Sequence, residues 1–139
     1  MLRYMLDTDT CSYAIKLKAP ALLEKIQSGL ANDTLAISVV TRAELLYGLA
    51  LVPQATSLKK AVLAFLDYIP CLEWPVPAAD YYAKSRCEQK QSGKPIGYMD
   101  TLIGAHALAE NLILVTHNTK HFERIEGLKM EDWTQWQIK

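Results

Sequence analysis

Hydrophobic residues along this chain follow two rhythms, and the switches between them mark out its elements. Short, almost wholly apolar runs stand at residues 2–6, 35–39, 71–74 and 112–115, with a further candidate at 128–130. Apolar runs of that length, bounded by polar or turn-forming residues, are what strands buried on both faces require. Between them the apolar positions recur three or four residues apart, as along one face of a helix. Leu22, Leu23, Ile26 and Leu30 do so within 21–30; Ala43, Leu46, Tyr47 and Ala50 within 41–52; Leu58, Val62, Phe65 and Leu66 within 55–68. Ile103, Ala107 and Leu108 mark a helix over 99–111, and further helices are expected over 11–17, capped by Thr8 or Asp9, over 78–91, and as a turn over 119–125. Pro20 opens a helix, Pro53 and Pro70 close two, Asn32-Asp33 forms a turn, and Ser92 to Gly97 is the most loop-like stretch. Strands alternating with helices, and too apolar to leave a face wet, predict an α/β fold. Its central sheet should be mostly parallel and covered by α-helices on both faces. No repeat or linker interrupts the pattern, so residues 1–139 read as a single domain.

Composition narrows the function more than the fold. The 139 residues suffice for one domain with a real core, and 22% charged residues is ordinary for a globular protein. Fifteen basic side chains balance fifteen acidic ones, which excludes a protein that holds nucleic acid by bulk charge and leaves room only for a local basic patch. Cys11, Cys71 and Cys87 are odd in number and widely spaced, which argues against a disulfide framework or thiolate zinc site and fits a reducing compartment. No apolar run approaches the roughly 18–20 residues that cross a bilayer. Asp7 and Asp9 interrupt the start too early for a signal peptide, so a cytoplasmic protein is expected.

The candidate chemistry begins where the first apolar run changes abruptly to Asp7-Thr8-Asp9-Thr10. In an open parallel sheet, ligands gather beyond the carboxyl ends of the strands. Asp7, Glu44 and Asp100, with Thr116-His117-Asn118, all follow predicted strands or open the helices beside them, so they can converge there. Carboxylates forced together repel one another and lose hydration unless they are protonated or bridged by a cation. Hard divalent ions suit such oxygen donors, and a site of that kind can activate water for phosphodiester hydrolysis. Each residue also has a structural reading. Thr41 and Glu44 match a capping box, Asp100 suits a first helical turn, Asp9 suits a cap, and Thr116 ends a strand. Spacing alone leaves both readings open. Lys84, Arg86, Lys90 and Lys94 stand against Glu88 just before Asp100, either as a solvated face or as a path for phosphates; Tyr98 is either a base-stacking surface or a core residue.

Four ordered stretches then carry a resemblance: Tyr4 to Thr8; Ser38 to Leu45 with Gly48; Asp100 to Ala107; and Leu114 to Asn118 with Phe122. Together they resemble the PIN-domain ribonucleases, and within them the VapC toxins of toxin–antitoxin pairs. Even Gly127 to Trp133 looks like that family's closing strand. The resemblance implies that Asp7, Glu44 and Asp100 are the acidic metal-binding residues, for Mg²⁺ or a substituting Mn²⁺, with Thr116 the hydroxyl at the last strand's end. It implies a translation-inhibiting endoribonuclease that cuts single-stranded or loop RNA and leaves a 3′-hydroxyl and a 5′-phosphate. Enteric-type relatives point to the anticodon loop of initiator tRNA. Lys90, Lys94 and Tyr98 would then serve RNA binding. The resemblance also implies a VapB-type antitoxin lying across the helices at 22–30, 43–51 and 58–66, and a homodimer. The chain departs from the family where a further acid is expected, a neighbourhood that holds Asn118 and His121. Asn118 could still serve a metal, and His121 is either a weak ligand, better matched to Mn²⁺ or Zn²⁺ than to Mg²⁺, or a surface residue, the reading preferred here. His106 reads as packed or hydrogen-bonded, and His117 is undecided. That departure keeps a catalytically silent PIN-like RNA- or protein-binding module as the alternative, with a phosphatase of small substrates as a third reading.

Overall fold

Strand β1 (Tyr4–Leu6) is the middle of the sheet in this computed structural model, which describes residues 1–134. It pairs with β2 (Leu35–Ser38) on one side and β4 (Ile113–Val115) on the other. Strand β3 (Cys71–Leu72) lies outside β2 and β5 (Met130–Glu131) outside β4, giving the order β3-β2-β1-β4-β5 with every pairing parallel. The expected mostly parallel sheet is thus parallel throughout. Seven helices complete the described residues: α1 (Thr8–Ile15), α2 (Pro20–Ala31), α3 (Val39–Ala50), α4 (Thr56–Tyr68), α5 (Ala78–Ser92), α6 (Tyr98–Ala109) and α7 (Thr119–Phe122). Residues 135–139 of the expected single domain lie outside the described residues. None of the described helices is long and apolar enough to cross a membrane.

Alternation along the strands divides the core in two. Leu6, Leu35, Ile37 and Val115 pack on one face with Leu22 and Ile26 of α2 and Val62 and Leu66 of α4. Met5 and Leu114 point the other way, into a cluster with Ile103 and Ala107 of α6 and Phe122 of α7. Successive side chains on a strand point to opposite faces, so each residue of β1 must find an apolar partner above or below. That is why the strands lack the polar alternation of a half-wet sheet. The helix-to-strand turns before β2 and β4 use left-handed residues with short polar side chains, Asp33 (φ 56°) and Asn111 (φ 56°), while Gly93 (φ 69°) ends α5.

Two helix starts differ from the sequence expectation by two residues or more, and both matter for the site. Helix α1 begins at Thr8 rather than Cys11, with Asp7 as its N-cap through a 2.8 Å hydrogen bond from Thr10 N–H. Helix α3 begins at Val39, two residues early, because the Ser38 hydroxyl already accepts from Val40 N–H at 3.1 Å. Thr41 is therefore inside the helix, and Glu44 moves from the expected first turn to the second.

Chain order also fixes where ligands gather. From β1 the chain steps outward to β2 and β3, then returns to the far side of β1 for β4 and β5. Order reverses between β1 and β4, and the crevice beyond their carboxyl ends is where an open α/β sheet binds its ligands.

Close approach of α2 to β2 requires a residue without a side chain at Gly29, because an added Cβ would overlap the Leu35 side chain, itself fully buried. Gly29→Ala should therefore destabilise the protein by about 1–3 kcal/mol, although the same exchange on an exposed helix would stabilise it. The urea midpoint measures this, and a midpoint at or above wild type would contradict the packing.

Candidate active site

Asp7 sits at the switch point. Its N–H continues the sheet by donating to Val115 C=O at 3.0 Å, and Thr10 Oγ1 donates to the same carbonyl at 3.1 Å. The carboxylate is held under the end of the sheet, only 3% exposed. Burial raises its pKa from 3.8 to about 6, against the lowering effect of hydrogen bonds from the Thr116 hydroxyl and from Thr10. Thr116, fully buried at the end of β4, thus faces Asp7 across the crevice, and its Oγ1 also accepts from Asn118 N–H at 2.9 Å. Asn118 joins this cluster through its backbone, and its residue as a whole is exposed.

Glu44 approaches from the neighbouring strand. One and a half turns into α3 it leans toward α1, where the Thr8 hydroxyl donates to its Oε1 at 2.6 Å and lies 3.2 Å from the Thr41 hydroxyl. The capping-box reading fails here, because Ser38 is the cap and Glu44 is spent on a side chain 36 residues away. Desolvation raises the Glu44 pKa, and the charges of Asp100 and Asp9 raise it further. Asp100, in the first turn of α6, is half-buried and likewise raised by desolvation, with the charge of Asp9 adding and His121 opposing. Asp9 therefore acts on all three acids from an exposed place in the first turn of α1. It is no cap, and its two-residue spacing from Asp7 was the signal in the sequence.

His121 corrects the sequence reading more plainly. It is no free surface residue: Nε2 lies 3.0 Å from Asp100 Oδ2, and its side chain is 26% exposed. His106 is packed as expected, fully buried with Nδ1 2.8 Å from Ser38 Oγ. Burial lowers its pKa to about 4 and keeps it neutral. That contact joins α6, which carries Asp100, to the start of α3, which carries Glu44. His117 turns away to Asp132 and Thr134, at 3.1 and 2.8 Å. The basic cluster is partly committed as well. Lys84 pairs with Glu126 at 3.8 Å, and the Arg86 guanidinium lies 4.0 Å over the Tyr98 ring. Tyr98 is 65% exposed, which removes the core reading. Lys90 and Tyr98 line one 510 Å³ hollow between α5 and α6, while Lys94 lines an adjoining one with Arg124.

The donor set is one of carboxylate oxygens beside a hydroxyl, made harder to ionise by burial first and by neighbouring acids second, and this is chemistry that a hard divalent cation relieves. Among the described residues, no three acidic, histidine or cysteine side chains already close around one point. Each acid instead rests on a local partner: Asp7 on Thr10, Glu44 on Thr8, Asp100 on His121. Mg²⁺ needs only one or two protein carboxylates and keeps several waters, so the set fits such an ion without a preformed cage.

Comparisons with known proteins agree with this geometry. The PIN domain model matches residues 4–128. The tRNA(fMet)-specific endonuclease VapC of Shigella flexneri is 38% identical over 135 residues, covering 96% of this chain and 100% of that one. Among solved structures, VapBC2 from Rickettsia felis, bound to a DNA fragment from its promoter, superposes with a TM-score of 0.87 at 36% identity, over 95% of this chain and 99% of that one. VapBC-1 from nontypeable Haemophilus influenzae gives 0.85 at 34%, over 96% and 99%. A reversal of strand order with acids gathered at it, matched over nearly the whole length, leads to one assignment: the chain belongs to the PIN domain family, in its VapC branch.

Proposed function

We propose that this chain is a divalent-cation-dependent endoribonuclease, the toxin of a type II toxin–antitoxin pair, which inhibits translation by cutting RNA until an antitoxin neutralises it. The observation that carries the reading is the placement of Asp7, Glu44 and Asp100 at the carboxyl end of the sheet, each made harder to ionise by burial and each acted on by the charge of Asp9. The VapC relatives named as ribonucleases support the activity, and the one named for tRNA(fMet) makes initiator tRNA the substrate to try first.

Asp7 and Asp100 would hold Mg²⁺ or Mn²⁺, with Glu44 orienting the attacking water and Asn118 at the rim. A divalent ion bound there supplies an activated water and neutralises charge building on the phosphate. The chain's own part is positional. Asp7 is fixed by the α1 cap and by Thr116, so its carboxylate cannot swing away from the strand end. Thr8 holds Glu44 Oε1 and so restrains that carboxylate beside α1. Lys90 and Lys94 would guide phosphates toward Asp100, and Tyr98 would support an unpaired base.

The antitoxin's place is suggested by a second feature. A 220 Å³ groove between α1, α3 and α4, lined by Ile15, Leu45, Leu49, Leu58 and Val62, runs up to Glu44. A VapB-like segment lying in this groove would reach the acids directly, as helix-in-groove partners do. Leu46, Tyr47 and Leu51 of the same region are exposed and offer a surface for a homodimer.

Purified protein should cleave RNA only with Mg²⁺ or Mn²⁺, and Asp7→Asn or Asp100→Asn should lower the rate by about a hundredfold or more while circular dichroism is unchanged. Wild-type cleavage by either variant, or turnover of mononucleotides instead of RNA, would refute the reading; a silent module would give no cleavage at all.

Lys90→Glu or Lys94→Glu should weaken RNA binding and reduce the slope of log affinity against log salt by about 0.7 for each phosphate that is no longer neutralised. An unchanged slope in a salt titration would remove that residue from the interface.

Charge on Asp7 also has a sign that can be checked. Its folded pKa is raised above the unfolded value, so the native state loses stability as pH climbs from 4 to 6. In chelator at pH 7, Asp7→Asn, which can keep the cap, should be more stable than wild type by up to about 3 kcal/mol. The gain should vanish below pH 4, as denaturant melts across that range would record.

A further inference from the structure

His121 sets a ring nitrogen directly against a candidate ligand carboxylate, and its placement is built rather than incidental. It stands on α7, a single turn whose next residue, Phe122, is 1% exposed and anchors the segment in the core. The N–H groups of His121 and Phe122 both donate to Asn118 C=O, at 3.1 and 3.2 Å. The imidazole packs edge-on to the Phe122 ring with centroids 5.7 Å apart. Held this way, Nε2 reaches Asp100 Oδ2 at 3.0 Å across 21 residues of chain.

That separation suits a shared ion. Two donors at neighbouring corners of an octahedron with bonds of about 2.1 Å stand about 3.0 Å apart. No large movement of α6 or α7 is then needed for Asp100 and His121 to bind one cation. An imidazole binds a metal through an unprotonated ring nitrogen, so Nε2 would face the ion in the tautomer that carries its hydrogen on Nδ1. The exchange of an oxygen donor for an imidazole changes which ion is favoured, because Mg²⁺ holds to oxygen whereas first-row transition ions accept nitrogen.

Resting on the metal-dependent reading above, we propose that His121 is a direct metal ligand, paired with Asp100, and that it biases this site toward a first-row transition ion over Mg²⁺. Asp100 and His121 would then supply two adjacent donors of the ion that Asp7 also holds, with waters and substrate oxygens in the remaining positions.

Mn²⁺ is the probe, followed by electron paramagnetic resonance on the full chain without RNA. Bound Mn²⁺ should show the ¹⁴N modulation of a directly coordinated imidazole; His121→Gln should lose it, and His117→Gln should retain it. By calorimetry, His121→Gln should weaken Mn²⁺ binding about tenfold and change Mg²⁺ binding much less. If Mn²⁺ binds in an Asp100-dependent manner but shows no ¹⁴N coupling, or if His121→Gln leaves the Mn²⁺-to-Mg²⁺ preference unchanged, this inference is overturned and the metal-dependent reading stands. If neither ion binds wild type, both fall. Matching circular dichroism and melting of the variants shows that any loss belongs to the site, since His121 is only partly buried.

Discussion

The parallel pairing of β1 with β4 is the interaction on which the rest of the molecule depends. Register sets Leu6 beside Val115, so that the next residue of each strand, Asp7 and Thr116, emerges at the same level. A slip by one residue would turn Met5 and Leu6 to the wrong faces and empty both cores at once. Apolar packing above and below the sheet therefore locks a polar pair at its edge. Hydrophobic burial, which has no direction of its own, is converted by the strand's alternation into the placement of one carboxylate against one hydroxyl.

That placement works against stability. The fold pushes Asp7 beneath the surface and brings the charges of Asp9, Glu44 and Asp100 within reach of one another, so that each of Asp7, Glu44 and Asp100 is harder to ionise than it would be in water. Local partners offset part of this: a helix N-terminus at Asp7, a threonine hydroxyl at Glu44, an imidazole at Asp100. The buried contact between His106 and Ser38 then ties together the two helices that carry Glu44 and Asp100, so their separation is set inside the core rather than at the surface. Strained electrostatics held by a rigid frame is what a cation-binding pocket needs before its ion arrives.

Much of this was legible in the sequence. Apolar runs without polar alternation marked the buried strands, and their alternation with helices implied the parallel sheet; the three acids were found because each stands where a strand hands over to a helix. What escaped was set by tertiary contact. Ser38 captures Val40 N–H and begins α3 early, which no propensity of Val39 and Val40 would suggest and which undid the capping-box reading of Glu44. Asp7 looked like a residue before a helix rather than its cap, because Thr8 and Asp9 are equally good capping residues. His121 looked exposed because its partner lies 21 residues back in the chain, and the four-residue helix that aims it carries too little pattern to reveal a face.

The position of β1 in the middle of the sheet has a further consequence, for the timing of assembly. A ribosome delivers the amino-terminal end of a chain first, yet β1 meets β4 only after β2, β3 and the helices between them have been made. Asp7 is thus among the first side chains to leave the ribosome and among the last to meet its neighbours across the sheet. A chain that ends before β4 lacks both Val115 and Thr116, so the Asp7 backbone and carboxyl group have no partners on that side until most of the sequence has been synthesised.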